Sequence, residues 1–140
     1  MSKLRVYLSG AVKIVDMNFQ TWRDKCLEIE ENGFYPDIKF IDPTGYFNYT
    51  DKQPVTDKQC INLFMWLIEK SDVLLVNLDH CSVSIGTAME VEHAYCNNIP
   101  IIGFGSIKGT WYNWIEERCS VIFKNLETAI EYIDNSYGNI

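Results

Sequence analysis

The chain has 140 residues, of which 47% are hydrophobic and 22% are charged, a composition that predicts one globular domain over residues 1–140 and excludes a disordered or fibrous protein. Acidic residues outnumber basic ones by 19 to 12, for a formal net charge of −7. Because duplex nucleic acid and anionic membranes are both bound through basic surfaces, neither is expected as a partner, whereas a small anionic ligand needs only a local site.

Apolar runs and amphipathic stretches alternate along the whole chain, which predicts alternating strands and helices. The predicted strands are residues 4–8, 37–41, 73–78, 99–104 and 120–123. The predicted helices are residues 17–31, 57–70 after a Thr56-Asp57 cap, about 86–97, 111–118 and 126–137. This alternation indicates a three-layer α/β domain with a five-stranded, mostly parallel sheet.

The five cysteines are odd in number and widely spaced, with no CxxC pair. This pattern predicts reduced, mostly buried thiols in a cytoplasmic protein. Lys3 and Arg5 lead directly into the first strand, so no signal peptide is expected. No apolar stretch approaches the ~20 residues of a membrane-spanning helix.

Ligands of such sheets bind beyond the carboxyl ends of the strands. The most informative segment there is residues 79–90, which leaves a buried strand, turns through small residues and enters a helix. The free N–H groups of Gly86 and Thr87 favour an anion, and Ser84 can cap the helix or bind a phosphate oxygen. Glu90 lies one turn further on, where the positive end of the helix dipole favours an ionised carboxylate. An ionised carboxylate beside an anion site could act as the nucleophile on a phosphorylated sugar. The alternative is that Ser84 and Thr87 only cap the helix and Glu90 is a surface charge.

Two further segments reach the same edge of the predicted sheet. After the first strand, Gly10 allows close approach to a ligand and Lys13 supplies a cation, although a plain turn with a solvated lysine is the alternative. Asp42 opens a Pro-Thr-Gly turn and a loop whose aromatic residues can stack on a base or only on each other.

No metal site or cofactor is predicted, because neither histidine has partners at ligand spacing. Two apolar stripes are predicted to be core, and they comprise Met17, Phe19 and Trp22 in the first helix, and Ile61, Phe64, Met65 and Ile68 in the second.

These motifs together resemble the nucleoside 2-deoxyribosyltransferase family, whose relatives include nucleoside 5′-monophosphate N-hydrolases. The resemblance runs over nearly the whole chain, and its segments are residues 6–10, 42–44, 71–73, 86–90, 94–95 and 99–103. The specific part is Gly86-Thr87 followed by Glu90 between a buried strand and a helix.

The resemblance implies a flavodoxin-like fold with strand order 2-1-3-4-5 and cleavage of an N-glycosidic bond. Glu90 would attack the anomeric carbon and hold the sugar covalently until a second base or water takes it, and Tyr7 would orient Glu90. The substrate would be a nucleoside or its 5′-monophosphate, bound by residues that include Gly10, Lys13, Asp42, Ser84, Gly86 and Thr87. The resemblance also implies a homo-oligomer in which a neighbouring subunit completes the site.

The chain departs from the family pattern at two positions. Ser84 replaces the aspartate that holds the sugar 5′-hydroxyl in the transferases, and a serine donor suits a 5′-phosphate better than a carboxylate does. Phe64 stands where the family usually has a catalytic aspartate. Three readings remain open: Asp42, Asp57 or Asp79 replaces that acid; water protonates the base; or the chain is a catalytically weak or inactive nucleotide-binding protein.

Overall fold

The structure, a computed structural model, describes residues 3–12, 19–46, 56–106 and 113–138. In these residues a five-stranded parallel sheet of order β2-β1-β3-β4-β5 is flanked by helices. The strands are β1 Leu4–Ser9, β2 Ile38–Ile41, β3 Val73–Asn77, β4 Ile101–Phe104 and β5 Val121–Phe123. The helices are α1 Thr21–Glu31, α2 Asp57–Glu69, α3 Ile85–Cys96, α4 Asn113–Arg118 and α5 Leu126–Tyr137. The α/β class and the strand order expected from the sequence are confirmed.

The two faces of the sheet bury separate apolar clusters. Val6 and Leu8 of β1 pack with residues of α1 and α5. Tyr7 belongs to the opposite cluster, which is formed mainly by α2, α3 and α4. Since side chains alternate along a strand, Ser9 shares the face of Tyr7 at the carboxyl end of β1. The sheet therefore presents two hydroxyl groups toward α3.

The first two helices begin at different distances from their predicted starts. Helix α2 begins at Asp57, where Thr56 forms a capping box with Gln59, as the Thr56-Asp57 pair predicted. Helix α1 begins at Thr21 and not at 17, because its first helical hydrogen bond runs from Asp24 N to the Gln20 carbonyl. Residues 13–18, and with them Met17, lie outside the described residues.

One predicted core stripe is only partly core. Ile68 is fully buried, but Ile61 is 43% exposed and Phe64 and Met65 are only partly buried. The physical reason is that α2 buries Leu67 and Ile68 near its C-terminus, whereas residues between Asp57 and Met65 border an open cavity. Helical spacing identifies the inward face of a helix but not whether another element covers it.

All five thiols are free: Cys26 and Cys81 are buried, Cys60 and Cys119 are partly buried, and Cys96 is exposed. In the described part of the chain, no helix combines the length and the apolar character needed to cross a lipid bilayer.

Candidate active site

Glu90 lies on α3 with its carboxylate held against the end of β1. The Tyr7 hydroxyl donates to Oε2 and the Ser9 hydroxyl donates to Oε1, the latter at 2.8 Å. Tyr7 is fully buried and Glu90 is half-buried. Both carboxylate oxygens are thus fixed by donors from a rigid central strand, so the side chain cannot swing into solvent as a surface charge does.

The environment of Glu90 shifts its protonation in two opposing ways. Burial raises the pKa of the carboxyl above its ordinary value, because an ion loses hydration there. The hydrogen bonds from Tyr7 and Ser9 and the positive charge of Arg23 lower that pKa again, without fully cancelling the effect of burial. A desolvated carboxylate with oriented oxygens is a stronger nucleophile than a hydrated one.

The N-terminus of α3 lies beside Glu90. The Ser84 hydroxyl caps the helix by accepting from Thr87 N at 3.2 Å, and it also bonds the Thr87 hydroxyl at 2.7 Å. A Cβ placed on Gly86 would meet no atom within 4 Å, so its backbone borders open space. Gly86 and Glu90 are four residues apart and share a helix face. The capping role is confirmed, and the expectation that the Thr87 N–H is free is wrong, because that N–H donates to Ser84. Gly86 in the first turn of α3 still borders open space.

A cavity of about 540 Å³ joins these groups to α2. Its wall on the α3 side includes Ser84, Ile85, Gly86, Thr87, Met89 and Glu90, and Gly10 and Val12 border it after β1. The opposite wall is one face of α2, formed by Asp57, Cys60, Ile61, Phe64 and Met65. The volume suits a small-molecule ligand the size of a nucleoside.

Arg23 supports the cavity from behind Gly10. Its guanidinium is 1% exposed and donates to the carbonyl oxygens of Gly10 at 3.0 Å and Phe19 at 2.6 Å. Asp42 Oδ1 lies 3.8 Å from Arg23 Nε. Asp42 also accepts hydrogen bonds from Thr44 N and from the Gln20 side chain. This network fixes the turn that follows β1.

The structure brings most of the predicted site residues together. Glu90 and Tyr7 are in contact, and Gly10, Ser84, Gly86 and Thr87 all border the same cavity. Asp42 is not among the cavity-lining residues in the described part of the chain, and its partners are the buried Arg23 and its own turn. Lys13 lies outside the described residues.

Two residues of the α2 wall were singled out from the sequence: Phe64, at the position of the family's catalytic aspartate, and Asp57, as a possible replacement acid. Cys60 was not singled out, and Ile61 and Met65 were assigned only to the core because they follow helical spacing. Among the three acids considered as replacements at the Phe64 position, Asp57 borders the cavity of Glu90. Asp79 borders a different hollow, together with Lys25 and His80, and accepts a hydrogen bond from Ser106 N.

Within the described ranges, no group of three or more His, Cys, Asp or Glu side chains is arranged to hold a metal ion. His93 Nε2 lies 3.6 Å from Glu69 Oε1 at the end of α2, and His93 is not among the described residues that line the cavity.

No family model matches the sequence, and no curated protein is significantly similar to it. Solved structures do match over nearly the full length. The 2-deoxyribosyltransferase of the psychrotolerant bacterium Bacillus psychrosaccharolyticus superposes with a TM-score of 0.69 at 13% identity, covering 91% of each chain. The 2-deoxyribosyltransferase of Leishmania mexicana gives 0.68 at 13% identity, covering 96% of this chain and 99% of that one.

A third match is the Clostridium botulinum CMP N-glycosidase BcmB, with a TM-score of 0.56 at 20% identity, covering 94% of this chain and 96% of the other. At these identities the similarity establishes the fold. The chain has the three-layer α/β fold of these enzymes, which is the fold that the sequence resemblance implied. Their activities are properties of those proteins.

Proposed function

We propose that this protein cleaves the N-glycosidic bond of a nucleoside, a deoxynucleoside or a 5′-monophosphate of either, through a covalent intermediate on Glu90. The carrying observation is the pairing of Glu90 with Tyr7 and Ser9 at the edge of a nucleoside-sized cavity. The fold, shared with two 2-deoxyribosyltransferases and a CMP N-glycosidase, is consistent with this reaction class.

In the first step a Glu90 oxygen attacks the anomeric carbon as the bond to the base breaks, and the base leaves with the electron pair of that bond, a neutral base taking up a proton from water. Tyr7 and Ser9 hold the carboxylate so that one lone pair faces the cavity, which lowers the entropic cost of reaching the reacting geometry. In the second step water or another base attacks the same carbon and returns the electron pair to Glu90. Two displacements at one carbon retain its configuration.

The first turn of α3 is the proposed site for the 5′ end of the substrate. Ser84, Gly86 and Thr87 border the cavity at a helix N-terminus, where hydroxyl and N–H donors favour a phosphate. The distribution of donors supports a 5′-monophosphate better than a free 5′-hydroxyl, because no carboxylate stands at position 84. Lys13 is proposed to add a cation to the same group, and Asp42 to act indirectly by holding Arg23.

We also propose a homo-oligomer in which a second copy completes the cavity. Ile85 is 79% exposed and Met89 is 46% exposed, although both border the cavity. Large apolar side chains that are left in solvent around a site are commonly covered by a partner.

The direct test is a panel of ribo- and deoxyribonucleosides with their 5′-monophosphates, with release of free base followed by chromatography. Native protein should release base and a Glu90→Gln variant should not. Adding a second base distinguishes the acceptor, since a new nucleoside indicates transfer and free sugar indicates hydrolysis.

The alternative is a nucleotide-binding protein without this activity, and Phe64 in the cavity wall is the observation that motivates it. This alternative would be supported if no substrate released or exchanged its base and if Glu90→Gln bound the same ligands as the native protein.

A further inference from the structure

Among the described residues that line the cavity, the charged side chains are of one sign. Among the described lining residues, Glu90 and Asp57 carry carboxylates and none carries a lysine, arginine or histidine side chain. The nearest buried cation, Arg23, is turned toward the carbonyl oxygens behind Gly10 and has Asp42 beside it. A leaving group that becomes negative would therefore depart past two negative charges, which is electrostatically unfavourable.

The rest of the wall suits a cation. Phe64 contributes an aromatic ring, Met65 and Met89 contribute thioethers, and Ile61 and Ile85 are aliphatic. Aromatic faces attract cations, and thioethers are polarizable. None of the described residues beside Phe64 carries an acidic proton to donate to the base. Asp57, the other acid of the lining, lies two helical turns before Phe64, ~10 Å along the axis, on the exposed first turn of α2.

We infer that the cavity selects N-glycosides whose base carries a formal positive charge, such as a pyridinium or an N7-alkylated purine, over those with a neutral base. This inference rests on the proposed function and names its substrate class. The base would lie against Phe64, with the carboxylate of Asp57 balancing its charge at the rim.

The electron balance of the first step explains the preference. When the bond from the anomeric carbon to nitrogen breaks, its electron pair neutralises the cationic base, which leaves as a neutral molecule without taking up a proton. A Glu90 lone pair forms the new ester, so one positive and one negative charge are removed together. A neutral base would need a proton or would leave as an anion. In the second step water displaces Glu90 from the sugar and releases its proton to solvent.

The test compares guanosine 5′-monophosphate with its N7-methylated form, each as the ribo- and the 2-deoxyribonucleotide and all at one pH at which the methylated ring is cationic. Each kcat/KM is divided by the spontaneous cleavage rate of the same compound, so that intrinsic reactivity cancels. We expect the normalised value to be at least ~10²-fold larger for the methylated base, the lower end of what a missing acid–base group costs. Equal or reversed values, still dependent on Glu90, would overturn the inference and leave the proposed function standing. Loss of all Glu90-dependent cleavage would overturn both.

Variants of α2 give a second readout. Phe64→Asp places a proton donor in the wall and should narrow the preference for the methylated base at least tenfold by accelerating the neutral substrate. Phe64→Leu removes the ring without adding a proton donor, so it should not accelerate the neutral substrate. Asp57→Asn, at an exposed position, should raise KM several-fold more for the methylated substrate than for the neutral one. A large fall in kcat for the neutral substrate in Asp57→Asn would show that Asp57 is a general acid and would overturn the inference even if Phe64→Asp does not fold.

Discussion

The Tyr7 hydroxyl donates a hydrogen bond to Glu90, across 83 residues of sequence and from the central strand to helix α3. Tyr7 is fully buried, so its hydroxyl has lost water and is satisfied by this carboxylate. Ser9, two residues further along the same strand face, binds the other oxygen. Glu90 is therefore oriented by the most rigid element of the sheet.

Replacing Tyr7 by Phe removes a donor that stabilises the ionised form of Glu90. The pKa of Glu90 already lies above its ordinary value because of burial, and it should rise further. The direction follows because a hydrogen bond to a carboxylate stabilises its ionised form, and the variant lacks that bond. The acidic limb of kcat/KM, and the carboxyl carbon resonance of Glu90 in an NMR titration, should move upward together. Tyr95→Phe on the outer face of α3 is the matched control, and an unchanged limb in Tyr7→Phe would contradict the assigned role.

Glu90 should also lower the stability of the fold near neutral pH. Its pKa is raised in the folded state, so the folded state binds that proton more tightly than the unfolded chain does. The free energy of unfolding therefore falls as the pH rises from the ordinary pKa of 4.5 through the folded-state pKa of Glu90. Below both pKa values this loss of stability is absent. Glu90→Gln should therefore stabilise the protein at pH 7 and much less in acid, as measured by urea unfolding.

Glu92, two residues further along the helix, should have the opposite effect on stability near neutral pH. Its hydrogen bond with Arg118 lowers the pKa of the carboxyl, so Glu92→Gln should cause a small loss of stability near neutral pH. If both variants changed stability in the same direction with pH, the electrostatic explanation for Glu90 would be wrong.

Arg23 should prove important for both folding and the site. Arg23→Met removes a buried cation and leaves Asp42 with an unbalanced charge, which should cost about 3–5 kcal/mol of unfolding free energy. The acidic limb of activity should shift upward, because the charge of Arg23 lowers the pKa of Glu90. Arg23→Lys keeps the positive charge, so it should return the acidic limb of the activity profile most of the way to its native pH. It should not restore both hydrogen bonds to the carbonyl oxygens of Gly10 and Phe19. If folded Arg23→Met protein showed no shift of the acidic limb of activity, Arg23 would have a structural role only and no effect on the ionisation of Glu90.

Ser84 has a capping role that can be separated from its role in substrate binding. Ser84→Ala should cost about 1 kcal/mol through loss of the α3 cap. Asn125→Ala should cost about the same through loss of the α5 cap, where Asn125 accepts from Thr128 N. Only the Ser84 variant should also weaken substrate binding, and equal KM values in the two variants would remove Ser84 from the site.

Ser84→Asp tests the phosphate assignment without loss of the cap, because aspartate caps helices as well as serine does. Its carboxylate should repel a 5′-phosphate, so KM should rise more for the monophosphate than for the nucleoside. Isothermal titration with the Glu90→Gln protein gives the same comparison without turnover. Equal weakening for both ligands would argue against a phosphate near Ser84.

The sequence carried enough information to predict the order of elements. The continuous apolar run of β3 and the Thr56 capping box are local signals, and the structure has both where they were expected. Helix α1 began later than its apolar spacing suggested, because Gln20 supplies the first helical acceptor. Spacing records which residues share a face and contains no signal for the residue at which the hydrogen bonding starts.

The site was more fully predictable on the α3 side than on the α2 side. Gly86, Thr87 and Glu90 form a recognisable turn-and-helix pattern, so Glu90 could be selected from 140 residues. On α2 only the family resemblance pointed to Phe64. By spacing, Phe64 and Met65 satisfy the pattern of a core helix, and the packing of α2 against α3 reveals that they border a cavity. The buried pairing of Arg23 with Asp42 joins two segments whose proximity depends on the parallel register of β1 and β2.

The most direct test of the central claim is mass spectrometry of protein incubated with a 2-deoxy-2-fluoro nucleoside 5′-monophosphate, which slows release of a glycosyl-enzyme. The account predicts a mass increase of one fluorinated sugar phosphate, located by peptide fragmentation on Glu90 and absent from Glu90→Gln. Release of base with no adduct, or an adduct on any other residue, would contradict it.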